Sequence, residues 1–371
     1  MTYNTPLSSK ENWERLYRED MERIRPLLTK HELALDPEQP HTQGERFLMQ
    51  AVTTESGRKL ILLGTTKNGK RIVIKVTKDP QGKKELVHER ACRTLLKKIR
   101  FAYDVFFSPE EILFIEEKEY LIAVYAFIEQ ECTFLERPIE KQFAFALTAF
   151  KAQEGAHATT WAHRKLIENS FTRATSNTYI QTFKEFKEKT IAAHATNTDL
   201  SNLYARTLEE LDRNKETIEQ YTDFLTHVDF VPHNFRIQNE TIYLLDHSSL
   251  RFGNKYEGWA RFLNFMVLYN KPLEEALVSY VKNNRSSEES LSLHLMRLYR
   301  LGEIIWYYTR TLERSEGNLL ALNTKRISFW SKVLEAALRH ESVNEEIITE
   351  YKKSRDLLRS DDEKQRQVGL H

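Results

Sequence analysis

The sequence is poor in cysteine, in long apolar stretches and in any excess of one charge, and each shortage removes a class of function. Cys92 and Cys132 are the only cysteines in 371 residues. That is too few for a disulfide framework, and they lack the clustered Cys/His spacing of a structural zinc site, so a reducing, cytoplasmic setting is expected. The longest apolar runs, such as "YLIAVYAFI" at 120–128, stop well short of the roughly 20 residues that cross a bilayer. The N-terminus has no basic segment followed by an apolar one, so no secretory signal is expected. The 55 basic and 54 acidic residues nearly cancel, and neither sign forms a block that would track a nucleic-acid backbone. Neither a membrane nor a nucleic acid is an expected partner, and no internal repeat is visible.

What is present is a chain long enough for two lobes and apolar enough, with 40% hydrophobic residues and 20 Phe, to fill large cores. Residues 1–45 read as a helical extension, in which Ser8 or Ser9 would cap a helix carrying Trp13, Leu16, Tyr17, Met21 and Ile24 at helical spacing. From 46 to 77 three β-rich runs are separated by the turns "TESGR" and "KNGK". A helix over "DPQGKKELVHERACRTLLKKI" and a hairpin around "EEKE" complete a β-rich N-lobe of five strands and one helix, ending at 128. Residues 129–345 read as a mainly helical C-lobe, interrupted by short strands between 227 and 246, and 346–371 as a polar tail. The expected class is α+β, with a small antiparallel lobe and a larger helical one.

The interruption carries the chemistry. "HVDFVPHN" holds His227, Asp229 and Asn234, and "IYLLD" ends in Asp246; upstream lie Lys75 in the strand "VIKV" and Glu89 in the following helix. In this order they are the parts of protein-kinase-type phosphoryl transfer. That chemistry needs positioning and charge stabilisation more than covalent work. Asp229 on a tight loop would take or orient the proton of an attacking hydroxyl. Asn234 and Asp246 would hold Mg²⁺, which favours a few hard oxygen ligands plus phosphate oxygens. Lys75 would hold the α/β-phosphates and Glu89 would hold Lys75, with Glu85, one helical turn earlier, as the competing partner. His227 heads the catalytic loop and is counted with it, its part read as hydrogen bonding to backbone.

These motifs resemble those of the aminoglycoside phosphotransferase and choline kinase-like small-molecule kinases, whose catalytic loop reads H-G-D-x-x-x-x-N and whose metal aspartate sits in I-D-W or I-D-F. "HVDFVPHNFRI" and "IYLLDHSS" match those two stretches, and "FALTAFKAQEGAHATT", with His157 at its end, resembles the family segment ending in L-x-x-L-H. The matching features cover about residues 46–270. The resemblance implies a bilobal protein-kinase-like fold, ATP as donor with GTP as the alternative, and a small hydroxyl-bearing acceptor. It makes Asp229 the catalytic base, Asn234 and Asp246 the metal ligands, Lys75 and Glu89 the phosphate-binding pair, and Ala126 to Ile128 a hinge whose backbone meets the adenine. Val228 stands where the family has Gly, and His247 and Ser248 where it has an aromatic or acidic residue. "FGNKYEGWARF" follows G-D-P-x-x-D-L-A only loosely.

Other readings stand beside these. Lys75 in an alternating strand is also what a solvent-facing lysine looks like, with Ile72, Ile74 and Val76 buried. The aromatic run "IIWYYTR" at 304–310 would suit a quaternary ammonium, but helical spacing favours a core stripe of Ile305, Tyr308 and Leu312. For the whole chain, the reading from a different class is a catalytically weak or inactive kinase-like protein that binds nucleotide or a protein partner. Acceptor identity and oligomeric state are left open.

Overall fold

A computed structural model describes residues 9–39, 59–101, 105–359 and 364. The chain divides into two compact units: residues 1–88 with 109–128 and 359–369, and residues 89–108 with 129–358 and 370–371.

The first unit is a five-stranded antiparallel sheet in the order β1-β2-β3-β5-β4, formed by β1 (Leu33–Leu35), β2 (Leu60–Thr66), β3 (Arg71–Thr77), β4 (Glu111–Glu117) and β5 (Tyr120–Ala126). Two of its turns pass through positive φ, one at a glycine and one at a lysine. Gly69, at φ +75°, closes the β2–β3 hairpin, and Lys118, at φ +54°, turns β4 into β5. Alternation along β3 buries Ile72, Ile74 and Val76 on one face, which puts Lys75 on the other. The buried face packs against helix α1 (Ser9–Lys30), whose Met21, Ile24, Leu27 and Leu28 complete one apolar cluster with Leu60, Leu62, Ile122 and Val124. Asp20 locks this contact by accepting from the Tyr120 hydroxyl at 2.9 Å and pairing with Lys78 at 2.6 Å.

One expectation needs correction here. Leu33–Leu35, placed within the helical extension by the sequence reading, is the edge strand of the sheet, with Leu33 opposite Thr66 and Leu35 opposite Gly64. A three-residue strand is too short to show a period, so only its pairing with β2 reveals it. Gly64 makes the pairing possible, since a Cβ there would fall 2.2 Å from the Ala34 carbonyl oxygen. The first β run expected after 46 and its "TESGR" turn lie outside the described residues.

Helix α2 (Pro80–Lys97) starts on Asp79, whose Oδ1 accepts from the backbone of Gln81 and Gly82, and it passes from the first unit into the second at 88/89. The second unit contains α3 (Ile139–Gly155), α4 (His157–Ala162), α5 (Arg164–Ile167), α6 (Ser176–Ala193), α7 (Thr198–Arg213) and α8 (Lys215–Gln220), followed by two short antiparallel ladders. These ladders pair β6 (Phe224–His227) with β9 (Leu250–Gly253), and β7 (Phe235–Gln238) with β8 (Thr241–Leu244). Helices α9 (Glu257–Tyr269), α10 (Lys271–Asn284), α11 (Ser287–Thr309), α12 (Gly317–Leu338) and α13 (Glu345–Leu358) follow. α9 is apolar nearly all round, from Trp259 to Leu268, and forms the centre of this core.

The last of these helices corrects the polar tail expected from 346. Ile348 and Tyr351, three residues apart, are buried, and Tyr351 stacks on Phe329 of α12 with ring centroids 4.2 Å apart. Two apolar residues in a polar segment are a weak periodic signal, and tertiary packing decides it. In the run 304–310, Ile305 is buried and Trp306 stacks on Phe186. These rings already carry the protein's own cations, Arg310 over Trp306 and Tyr307 and the buried Arg326 over Tyr308. No described helix is long and apolar enough to cross a membrane.

Candidate active site

The catalytic-loop motif begins where β6 ends. His227 lies opposite Leu250 of β9, and the Val228 N–H donates to the Ser249 carbonyl at 2.9 Å. Val228 does not adopt a positive φ, so the glycine of related loops is not required here on backbone grounds. A single 3₁₀ turn, Pro232–Asn234, brings the chain round, and β7 and β8 form a hairpin closed by Asn239 and Glu240, both at positive φ. That hairpin returns the chain to its start, where the Leu245 N–H donates to the Asn234 carbonyl at 2.9 Å. Asp246 is thereby placed beside Asn234, although 12 residues separate them.

Within this fold Asp229 and Asn234 bond each other, and the Asp246 carboxylate is held by the serines that follow it. The Asn234 amide nitrogen donates to Asp229 Oδ2 at 2.7 Å and to the Asp229 carbonyl at 2.8 Å, which leaves Asn234 Oδ1 as the atom able to take a metal. Asp229 Oδ1 accepts from Arg261 Nε of α9 at 2.7 Å. Desolvation would raise the Asp229 pKa, but the guanidinium groups of Arg261 and Arg300 outweigh it and hold the carboxyl well below the usual carboxylate range. Asp246 Oδ1 accepts from the Ser248 backbone and hydroxyl, and Oδ2 from the Ser249 hydroxyl at 2.8 Å. The two serines after the aspartate therefore fix its carboxylate.

His227 is fully buried, and its Nε2 donates to the Asp246 carbonyl at 2.7 Å. Burial lowers its pKa, so the ring is a neutral link between the start of the loop and the end of the next hairpin. Gln153 of α3 fixes the strand from the other side, its Oε1 accepting from the His227 N–H at 3.0 Å and from Thr226 Oγ1. His247, almost fully buried, donates through Nε2 to the Phe106 carbonyl, and desolvation drops its pKa to about 3. It acts as a buried polar strut. His157, at the head of α4, stacks on Phe224 with centroids 4.1 Å apart.

The remaining candidates are described within their own units. Lys75 sits on β3 between Ile61 and Ala123, with its ammonium 5.7 Å from the Tyr125 ring centroid. Glu85, the competing partner for Lys75, is held by Lys59 at 2.6 Å, while Glu89, one turn further on, is buried at 4% exposure. Ala126 ends β5, its N–H donating to the Glu110 carbonyl, and Phe127 and Ile128 follow it out of the sheet. Among the described residues no three His, Cys, Asp or Glu side chains gather as a metal cage. An Mg²⁺ site would not need one, because one carboxylate, one amide oxygen and the substrate's phosphates make a suitable oxygen set. Asp246 carries one such carboxylate and Asn234 one such amide oxygen. Arg261, Gln153, Ser248 and Ser249 were not singled out as site residues by sequence, and no local spacing ties Arg261 to a loop 32 residues earlier.

No family model and no curated protein sequence matches the chain. Solved structures do. The aminoglycoside phosphotransferase APH(4)-Ia aligns at a TM-score of 0.57 with 16% identity, covering 87% of this chain and 98% of that one. The type I macrolide 2'-phosphotransferase aligns at 0.55 with 14% identity, covering 83% and 97%. The amicoumacin kinase hAmiN, solved with AMP-PNP, Ca²⁺ and its ligand, aligns at 0.54 with 11% identity, covering 90% and 97%. Together with the five-stranded sheet, the helical unit and the order of their elements, these likenesses show that the chain has the bilobal, kinase-like α+β fold of the aminoglycoside phosphotransferase-type small-molecule kinases.

Proposed function

We propose that the protein transfers the γ-phosphate of ATP to a hydroxyl group of a small molecule. The observation that carries this reading is the Asp229–Asn234 hydrogen bond together with the backbone bond from Leu245 to Asn234, which sets Asp246 next along the chain. This supports a site in which one loop and one hairpin offer a carboxylate for the acceptor hydroxyl and two oxygen ligands for a divalent cation. Asp229, kept ionised, orients the acceptor hydroxyl and receives its proton late, as suits a loose phosphoryl-transfer transition state. Asn234 Oδ1 and Asp246 would hold Mg²⁺, which offsets the charge of the phosphates when bound. His227 keeps Asp246 in register, and Lys75 with Glu89 would hold the α/β-phosphates. Ala126 and Ile128 would offer backbone to the base of ATP or GTP. Structural neighbours with ADP and hygromycin B, or with AMP-PNP and Ca²⁺, support a nucleotide and a divalent cation here. A cytoplasmic small-molecule kinase is the reading that also fits the cysteine usage.

A second reading, nucleotide binding with little turnover, is favoured by one observation: both oxygens of Asp229 are already engaged, by Arg261 and Asn234. The test begins with the unfolding midpoint with and without Mg²⁺-ATP, for the wild type and Asp246→Asn. Ligand at about a hundred times its Kd adds roughly 2.7 kcal/mol. A wild-type shift that shrinks in the variant supports the metal-nucleotide site, and no shift with ATP or GTP removes it. Product formation against hydroxyl acceptors then separates the enzyme from the weak binder.

A further inference from the structure

Arg261 bonds Asp229 with one edge of its guanidinium and leaves the other edge unused. Nε donates to Asp229 Oδ1 at 2.7 Å, and among the described residues Arg261 makes no other hydrogen bond, although its side chain is 22% exposed. The guanidinium is a rigid fork whose terminal nitrogens match a carboxylate or phosphate. Here the fork is anchored on the group that would face the acceptor hydroxyl, so its terminal nitrogens lie where a substituent next to that hydroxyl would come.

The wall beyond Arg261 agrees with this. Positions 261, 265 and 269 of α9 lie on one side, about 6 Å of rise apart. Phe265 packs edge-on to His233 and stacks on Tyr269 with centroids 4.2 Å apart, and the Arg355 guanidinium lies 5.9 Å from the Tyr269 ring centroid. The stripe itself carries no carboxylate. Asp356, next to Arg355, is bonded to Arg355 Nε at 2.9 Å. The carboxylates closest to Arg300, Glu257 and Glu303, are taken up by Arg251 and Arg300. A polycationic acceptor would meet a guanidinium at the reacting end, and these three acids are already paired.

We infer that the acceptor is a small alcohol bearing an anionic group, a carboxylate or a phosphate, beside the hydroxyl that is phosphorylated, and that Arg261 is the residue that binds this group. The inference rests on reading Asp229 as the partner of the acceptor hydroxyl. It would give this chain a substrate class opposite in charge to the aminoglycosides of its structural neighbours.

The experiment is a thermal-shift and calorimetric titration of the full-length protein, with and without saturating Mg²⁺-AMP-PNP, using four probes. Gluconate and sorbitol 6-phosphate carry the two anions, sorbitol is the neutral control, and hygromycin B is the polycation. Both anions, or one of them, should bind in the millimolar range or tighter, and sorbitol and hygromycin B should not. Which anion binds identifies the carboxylate or the phosphate class. Arg261→Gln should weaken that binding about tenfold to a hundredfold, while Arg261→Lys, which keeps the charge, should lose less. Absence of anion binding at millimolar concentration, preference for hygromycin B, or equal anion binding by Arg261→Gln would each overturn the inference. The contrast between probes on the wild type decides it even if the glutamine variant does not fold. A missing AMP-PNP shift, in contrast, counts against the phosphotransferase reading and leaves the anion titration readable.

Discussion

Gly258 of α9 lies against the carbonyl of His227, so closely that a Cβ at 258 would stand 2.7 Å from that oxygen and 3.1 Å from Thr226 Oγ1. The central helix of the core is thereby pinned to the strand that leads into the Asp229 loop, and Arg261, one turn along, is delivered to Asp229. Gly258→Ala should destabilise the protein by about 1–3 kcal/mol through overpacking, measured by urea unfolding. A variant as stable as wild type would mean that helix and strand separate readily, contrary to this contact.

Glu257, fully buried, accepts from the Tyr179 hydroxyl at 2.6 Å and pairs with Arg251 and Arg300. Glu257→Gln leaves the buried Arg300 and the partly buried Arg251 short of charge, and the expected cost is about 3–5 kcal/mol. Chemical denaturation of the variant tests this, and a loss below about 1 kcal/mol would mean that the pair behaves like an exposed one.

The N-terminal helix supplies four of the thirteen buried residues of the smaller apolar cluster. Leu28, 1% exposed, should cost about 2–5 kcal/mol when changed to Ala. Removing α1 altogether would bare Ile72, Ile74 and Ile122, and the shortened protein should aggregate or fail to express in soluble form. Soluble, monodisperse protein lacking α1 would contradict the packing.

His294 stacks on His340 with centroids 4.2 Å apart, its Nε2 is buried without a hydrogen bond, and burial drops its pKa to about 3. The unfolded value is near 6.5, so between about pH 6.5 and 3 the unfolded chain binds this proton and the folded chain does not. Stability must therefore fall as pH falls through that window, by at most about 1.4 kcal/mol per pH unit from this group. His294→Phe keeps the stack and removes the titration. Its unfolding free energy should depend less steeply on pH over the window, and an unchanged slope would exclude His294 as a source.

For the proposed transfer, Asp229→Ala should lower kcat about a hundredfold to ten-thousandfold with the circular dichroism spectrum retained. Asp246→Ala should remove the Mg²⁺ dependence of nucleotide binding. Normal turnover of either variant on an identified acceptor would contradict the assigned roles.

How much of this could be read without coordinates depends on range. The α1 pattern with Met21 and Ile24 inward, the turns "KNGK" and "EEKE" and the alternation that buries Ile72, Ile74 and Val76 are local consequences of period and turn composition, and they are present in the structure. The kinase-like class was also legible, because the motifs around Asp229 and Asp246 lie in a loop and a hairpin that are contiguous in sequence. The strand Leu33–Leu35 and the burial of Ile348 and Tyr351 were not. Each depends on a partner tens of residues away, Gly64 in one case and Phe329 in the other.

The site divides in the same way. Sequence alone determined which side chains could perform the chemistry, since hydrogen-bonding capacity and charge belong to residue types and a short loop keeps Asp229 and Asn234 together. Only tertiary structure decided what surrounds them: that Arg261 of α9 grips Asp229, that Gln153 of α3 fixes His227, and that Lys59 takes Glu85. Those pairings come from the packing of helices and strands distant in sequence. An ion pair's strength depends on separation in space and on burial, and neither is written in residue spacing.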